Sequence, residues 1–246
     1  MDTTSVVVNG LEVEAVVDHE LIDGVLLPTL ERLAARVKPG RRDYVFLVAP
    51  PGAGKSTLAA LLEHRARHLD LDVVGIDGFH HPATHLETHH LLRGGEQVPL
   101  SSVKGAPETF DVDGLIRMLE AGREGQPLPW PGYDRVLHDV VPASQPVTAG
   151  LVVVEGTWLL LDEPGWSGLS AYSSFTVFLE AEPALLRDRL IERKVRGGLS
   201  REAAVDFYER SDRLNVERVL ARSDRSTVDL PLHLNTDGTT ERRGSA

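Results

Sequence analysis

The sequence predicts an α/β fold in which helices flank a parallel sheet of five strands. Five runs of apolar and β-branched residues recur along the chain, and stretches with helical periodicity separate them. Continuous apolar runs are typical of strands that a parallel sheet buries on both faces. The first run, residues 44–49, leads directly into a glycine-rich turn and then a helical pattern. Strand, tight turn and helix in this order predict a three-layer arrangement.

The N-terminal region predicts an accessory unit. Residues 5–17 alternate around Asn9-Gly10, which is the strongest short signal for a β-hairpin. A helical pattern interrupted by Pro28 follows from about residue 18 to residue 37. We expect residues 1–40 to pack on a core domain of residues 41–235, and the polar residues 236–246 to form a disordered tail.

The glycine-rich turn has the pattern of a phosphate-binding loop. Glycines lack a Cβ atom, so the backbone N–H groups can approach phosphate oxygens, and the start of the next helix favours the same anion. Lys55 is placed to reach the β- and γ-phosphates, and the Ser56 hydroxyl to bind Mg²⁺. Ala49 stands where the consensus has its first glycine. The turn predicts a P-loop NTPase fold that binds ATP and Mg²⁺ through Pro51, Gly52, Ala53, Gly54, Lys55, Ser56 and Thr57.

Acidic residues lie at the ends of two further predicted strands. The second strand, residues 71–76, is followed by Asp77, which is either a general base for a substrate hydroxyl or a turn-forming residue before Gly78. The third strand, residues 151–156, contains Glu155, which we expect to hold Mg²⁺ together with Ser56. Residues 173–179 are the fourth strand, and residues 228–234 the fifth, at the edge of the sheet because it contains a proline.

Two long irregular stretches, residues 78–110 and 127–142, predict substrate-binding loops. The second combines aromatic, arginine and histidine side chains that suit a polar small molecule, although a surface loop with local hydrogen bonds has the same pattern. The first is rich in histidine. His81, His85 and His89 would share one helix face, which fits either a metal site or a solvated face, and His80 or His81 is a candidate substrate contact.

The most charged segment predicts a lid over the phosphates at residues 187–199. Arg189, Arg193 and Arg196 fall on one helical face before a Gly-Gly pair. Arginines there could stabilise charge on a transferring phosphoryl group, and Arg196 could bind the nucleotide. A solvated face paired with Asp188 and Glu192 is the alternative. A helix capped by Ser200 should then run to residue 221.

Composition limits the classes of partner. The formal net charge of −11 argues against nucleic acid and anionic membranes as partners. The chain has no cysteine, which excludes disulfides and fits a reducing compartment. It has neither a signal sequence nor an apolar run of membrane-spanning length, so we predict a cytoplasmic protein. A homodimer is one assembly that the sequence allows.

The motifs together resemble the P-loop small-molecule kinases that include uridine kinase, phosphoribulokinase and type I pantothenate kinase, and look like the members linked to fructose transport. The resemblance covers residues 44–234 and rests on the segments 52–57, 77–80, 104–111, 133–138 and 155–156 and on the arginine-rich lid. It implies that Asp77 deprotonates the substrate hydroxyl. The spacing of Tyr133 and His138 is similar to that of a nucleoside contact in uridine kinases, whereas segment 104–111 looks more like pantothenate and sugar-linked kinases.

The sequence therefore predicts an ATP-dependent kinase with a hydroxyl group of a small polar metabolite as acceptor. The expected catalytic residues are Lys55, Asp77, Arg189 and Arg193. The expected substrate contacts are His80, Lys104, Tyr133, Arg135, His138 and Asn215. The alternative is a P-loop regulatory or transport-associated protein without a small-molecule acceptor. A nucleoside monophosphate kinase is a weaker option, because few arginines precede residue 187 to bind an acceptor phosphate.

Overall fold

The strands of the molecule form one central sheet and three separate hairpins. The structure is a computed structural model that describes residues 2–8 and 11–243. Within those residues the strands are β1 (Asp2–Val8), β2 (Leu11–Val17), β3 (Asp43–Val48), β4 (Leu71–Gly75), β5 (His90–Arg93), β6 (Glu96–Pro99), β7 (Leu128–Asp134), β8 (Asp139–Val147), β9 (Leu151–Gly156), β10 (Ser173–Ala181), β11 (Leu230–Leu234) and β12 (Thr240–Arg242).

The helices of the described residues alternate with these strands. They are α1 (His19–Leu21), α2 (Leu27–Ala34), α3 (Lys55–Arg65), α4 (Ala83–Thr88), α5 (Val112–Gly122), α6 (Pro183–Arg196), α7 (Arg201–Phe207) and α8 (Arg213–Arg222). Wider π-helical segments connect α1 to α2 at Ile22–Leu26 and α7 to α8 at Tyr208–Asp212. No helix in this part of the chain is long and apolar enough to cross a membrane.

The central sheet has the order β12-β11-β10-β3-β9-β4. Its five strands β11, β10, β3, β9 and β4 are parallel, as predicted, while β12 pairs antiparallel with β11. The expectation that residues 228–234 form an edge strand is therefore wrong, because β12 covers that edge. For the same reason residues 240–242 are not the disordered tail that their polarity suggested. Residues 244–246 of that tail lie outside the described residues.

Side chains of β3 alternate between two apolar cores, which is the physical basis of the three layers. Val45 and Leu47 pack with the N-terminal hairpin and with helices α2, α3 and α6. Tyr44, Phe46 and Val48 pack on the other side with α5 and with the β7–β8 hairpin. The sheet is thus covered on both faces, and the predicted α/β fold class is confirmed.

The N-terminal hairpin and helix differ from the sequence prediction in one detail. β1 and β2 pair in register from Asp2–Val17 to Val8–Leu11, while the predicted Asn9-Gly10 turn lies outside the described residues. Pro28 does not interrupt the helix, because the amide of Leu27 bonds to the carbonyl of Ile22 in a wider π turn just before it. A proline near the start of α2 then leaves no intrahelical donor missing.

Three segments differ from the sequence prediction: two were expected to be irregular loops and one to be a regular helix. Residues 90–99 form the antiparallel hairpin β5–β6, and residues 128–147 form β7–β8 instead of a long loop. Ser200 does cap a helix, since its Oγ accepts from the amide of Ala203 at 3.2 Å. That helix reaches Arg222, one residue beyond the prediction, but a π segment at Tyr208–Asp212 widens it between α7 and α8.

Candidate active site

The phosphate-binding loop lies between the end of β3 and the start of α3. Gly52 and Gly54 have φ of +86° and +93°, a left-handed conformation that favours glycine. Ala49 has no positive φ and is completely buried, so alanine is tolerated where the consensus has glycine. A Cβ atom at Gly52 would lie 3.0 Å from Leu190 Cγ, so the loop packs tightly against α6.

Ser56 and Glu155 meet beneath this loop. The Ser56 Oγ donates to Glu155 Oε1 at 2.8 Å, and Lys55 Nζ lies 3.7 Å from Glu155 Oε2. Burial raises the pKa of Glu155, and the charge of Lys55 opposes this shift. Gly75 of the neighbouring strand leaves room for the carboxylate, since a Cβ atom there would lie 3.2 Å from Oε1. A hydroxyl and a carboxylate in contact are oxygen ligands of the kind that Mg²⁺ prefers.

Asp77 lies beside Glu155 because their strands, β4 and β9, are adjacent and parallel. It follows β4 directly, in a short 3₁₀ turn at Ile76–Phe79. Its Oδ2 lies 3.3 Å from a terminal nitrogen of Arg135, and the side chain is 40% exposed. The carboxyl ends of parallel strands are where α/β proteins bind ligands. Asp77 is therefore accessible at the same edge of the sheet as the phosphate-binding loop.

Helix α6 brings arginines toward this edge to different extents. Arg189 lies next to the loop, since a Cβ atom at Gly54 would be 3.8 Å from its guanidinium. Desolvation lowers the pKa of Arg193. The charge of Arg135 also lowers this pKa, whereas the charges of Asp212 and Asp77 raise it. Arg193 nevertheless remains exposed to solvent. Arg196 is 79% exposed and pairs with Glu192 at 3.4 Å, as a solvated helix face would.

The predicted substrate contacts surround Tyr133 on β7. Lys104 Nζ lies 4.5 Å from the centre of its ring, and the Arg135 guanidinium 5.9 Å from it. The ring of His80 stacks on Phe110 and lies 5.7 Å from Tyr133. His138 has a positive φ and an exposed side chain, and its backbone carbonyl accepts from Lys104 at 2.9 Å.

His80 and Asn215 are the buried members of the predicted set. The Nδ1 of His80 lies 2.9 Å from the Asp77 carbonyl, so this nitrogen carries the hydrogen and Nε2 is left as an acceptor without a partner. Burial lowers the pKa of His80, which keeps the ring neutral. Asn215 reaches the segment of Lys104 through Gly105, where a Cβ atom would lie 3.8 Å from its Nδ2.

The histidine-rich segment forms a stack beside these residues. The rings of His81 and His85 are 4.1 Å apart, and those of His85 and His89 are 3.7 Å apart. The three rings lie on one side as predicted, but only His85 is in a helix, because α4 spans Ala83–Thr88. Within residues 2–8 and 11–243 no group of three or more histidine, aspartate or glutamate side chains is arranged to hold a metal ion.

Sequence reasoning missed two residues that position the site. The Trp130 indole donates to the Gly75 carbonyl at 2.9 Å and so fixes β7 against the end of β4. Gly78 touches the same hairpin, because a Cβ atom there would lie 2.8 Å from the Gly132 nitrogen and closer still to the Pro131 carbonyl. A tryptophan between two prolines, and a glycine directly after a predicted base, are the only signals that could have indicated them.

The chain is similar to known proteins of one family. The model of the phosphoribulokinase / uridine kinase family matches residues 45–227. The uncharacterised protein YggC of Escherichia coli K12 is 44% identical, over 90% of this chain and 92% of its own length. A pantothenate kinase of Shewanella baltica OS185 is 31% identical, over 83% of this chain and 68% of its own. A solved structure from Silicibacter sp. TM1040, described as a fructose transport system kinase, has a TM-score of 0.70 at 33% identity, covering 81% of this chain and 95% of that one.

Proposed function

This chain belongs to the phosphoribulokinase / uridine kinase family, and on that basis we propose that it transfers the γ-phosphoryl group of ATP to a hydroxyl of a small polar metabolite. The observation that carries the proposal is the placement of Asp77 and Glu155 on adjacent strands beside the phosphate-binding loop. One edge of the sheet thereby combines phosphate-binding amides, a pair of oxygen ligands for a metal and the solvent-accessible carboxylate of Asp77.

The nucleotide side of the reaction uses the loop residues. The amides of Gly52 to Thr57 and the Lys55 ammonium hold the phosphates, and Ser56 and Glu155 hold Mg²⁺. When bound, Mg²⁺ neutralises charge that develops on the phosphate oxygens. Arg189, beside Gly54, adds donors to the same phosphates, and Arg193, whose charge interacts with Asp77, stabilises the transferring group.

The acceptor side depends on Asp77, which takes the proton of the attacking hydroxyl. A bond forms between the acceptor oxygen and the γ-phosphorus, the bond from that phosphorus to the β–γ bridging oxygen breaks, and ADP leaves. His80, Lys104, Tyr133 and Arg135 line the approach to Asp77, and Asn215 supports the segment of Lys104. Positioning and electrostatic stabilisation are most of what phosphoryl transfer requires of a protein.

The relatives support several acceptors. The similar proteins include a pantothenate kinase. They also include a protein of Schizosaccharomyces pombe that is 28% identical to this chain and is named as a candidate uridine kinase. Nucleosides, pantothenate-like compounds and sugars are therefore all included in the proposal at this level.

The experiment that tests the proposal is ADP release from ATP and Mg²⁺ against a panel of nucleosides, pantothenate, and free and phosphorylated sugars. We expect one class of acceptor to raise the rate, and Lys55→Ala to abolish the increase because it removes the ammonium that reaches the phosphates. A wild-type rate that no acceptor raises above that of Lys55→Ala would contradict the proposal.

A further inference from the structure

Two cations at the acceptor side are not neutralised by a dedicated carboxylate. In the described part of the chain, Lys104 Nζ has no carboxylate within ion-pair distance, and its contacts are the His138 carbonyl and the Tyr133 ring. The carboxylate paired with Arg135 is Asp77, which the proposed reaction needs for another purpose. A carbonyl and an aromatic face satisfy the geometry of an ammonium group but leave its charge uncompensated.

These two cations lie close together although they come from different elements. Lys104 belongs to the segment after β6, and Arg135 follows β7. Both flank the ring of Tyr133, at 4.5 Å and 5.9 Å from its centre. In a chain with a formal net charge of −11, two cations beside the same Tyr133 ring are a local feature that attracts an anion.

Asp139, a carboxylate whose charge interacts with that of Lys104, does not form an ion pair with it. The charge of Lys104 lowers the pKa of Asp139. The Asp139 Oδ1, however, accepts hydrogen bonds from the amides of Ala83 and Val140 at 3.0 Å and 2.8 Å. Those amides lower the pKa of Asp139 more than Lys104 does. The carboxylate therefore serves to tie β8 to the start of α4, and Lys104 is left available.

The Arg135–Asp77 pair links anion binding to the base. While Arg135 stays on Oδ2, it competes with a substrate hydroxyl for the carboxylate. An anion in the acceptor offers Arg135 a second partner. Arg135 can then leave Oδ2 free to accept the proton of the hydroxyl.

We infer that the acceptor is an anionic hydroxy compound, a carboxylate or a phosphate ester, whose negative group is bound by Lys104 and Arg135. This inference rests on the proposed kinase function and narrows it. A neutral nucleoside or free sugar would leave Lys104 without a counter-ion and Arg135 paired with Asp77 at the moment of transfer. Lys104 and Arg135 are thus the residues that determine specificity, while Asp77 receives the proton from either kind of acceptor.

The test compares matched acceptors that differ in the anionic group: glycerol with glycerate, ribose with ribose 5-phosphate, and pantothenol with pantothenate. We expect the preferred acceptor to be an anionic member, with kcat/KM at least about 10-fold to 100-fold above that of its neutral counterpart. Comparing the carboxylate pairs with the phosphate pair also shows whether the preferred negative group is a carboxylate or a phosphate ester. Neutral members that react as well as anionic ones would overturn the inference and leave the kinase proposal intact.

Substitutions of Lys104 and Arg135 test whether these two side chains bind the anionic group of the acceptor. Lys104→Gln and Arg135→Gln should each lower kcat/KM for the anionic member about 10-fold to 100-fold, mainly through KM, and so reduce its preference over the neutral member. Arg135→Lys should restore part of the loss. Arg242→Gln, an exposed cation on β12 at the other edge of the sheet, is the matched control for net charge and should behave as wild type. An unchanged anion preference in both glutamine variants would overturn the assignment, and no turnover with any acceptor would overturn the kinase proposal together with it.

Discussion

At the scale of single residues, the candidate site is built from side chains that local rules place well. Lys55 and Ser56 begin the helix after β3, Asp77 comes just after β4, and Glu155 lies near the end of β9. Parallel strands end at one edge of a sheet. Their grouping could therefore be predicted from sequence. The partners of these residues could not, because the Arg135–Asp77 pair joins positions 58 residues apart through a hairpin that the sequence did not indicate.

Asp77→Asn tests the role of the proposed base. An amide cannot take a proton from the hydroxyl, so we expect turnover to fall about 10²-fold to 10⁴-fold. ATP affinity should stay nearly unchanged, because Asp77 lies outside the phosphate-binding loop. Steady-state kinetics and titration calorimetry with ATP measure the two effects separately. A fully active Asp77→Asn variant would mean that another group accepts the proton.

Burial of His80 predicts a specific pH dependence of stability. Its pKa is lowered in the folded protein, whereas the unfolded chain has the ordinary value of about 6.5. Below that pH the unfolded state binds the extra proton, so the free energy of unfolding falls as the pH falls, until the lowered pKa is passed. Above it, His80 makes no pH-dependent contribution.

Urea unfolding of wild type and His80→Gln between about pH 5 and pH 7.5 isolates this contribution. The wild-type free energy of unfolding should fall more steeply toward acid, by up to about 1.4 kcal/mol per pH unit, which corresponds to one proton. His81, whose pKa is also lowered by burial, is present in both proteins and cancels in the difference. Parallel curves would show that His80 titrates normally in the folded state.

At the scale of elements, the β7–β8 hairpin is the part that sequence reasoning described incorrectly. Pro129 and Pro131 argue against a strand, because proline cannot donate to the hydrogen-bond ladder. The structure accommodates them in a two-stranded hairpin in which Pro129 is opposite Pro146 and the register shifts between Trp130 and Gly132. At these positions the N–H groups that the prolines lack are not needed by a carbonyl of a neighbouring strand. No local sequence pattern reveals this arrangement.

Gly78→Ala tests whether this hairpin is held by close packing on the turn after β4. The added Cβ would meet backbone atoms of Pro131 and Gly132, which cannot move as a flexible side chain could. We expect a loss of about 1–3 kcal/mol in the free energy of unfolding, measured by urea denaturation. The KM of the acceptor should rise, because the hairpin carries Tyr133 and leads directly into Arg135.

The matched control is Gly24→Ala, in the π-helical segment between α1 and α2. A Cβ atom there meets nothing within 4 Å and its φ is not positive, so the change should be neutral or slightly stabilising. Equal effects of the two substitutions would contradict the packing argument at Gly78.

At the scale of the whole molecule, the sequence was sufficient for the five parallel strands but not for their order. Buried parallel strands are all apolar, so their side chains do not specify which neighbour each one pairs with. The antiparallel β12 depends on contacts with β11 that its three exposed or half-exposed polar residues do not indicate. The fold class follows from strand composition, whereas the order of the sheet follows from tertiary packing.

The most direct test of the account follows the phosphoryl group itself, by incubating the protein with ATP labelled at the γ-phosphate, Mg²⁺ and the acceptor panel. We predict that the label appears in a phosphate monoester of one acceptor with wild type and in none with Lys55→Ala. Label that stays in bound ATP, or is released only as inorganic phosphate, would contradict phosphoryl transfer to a hydroxyl and favour a nucleotide-binding regulatory protein.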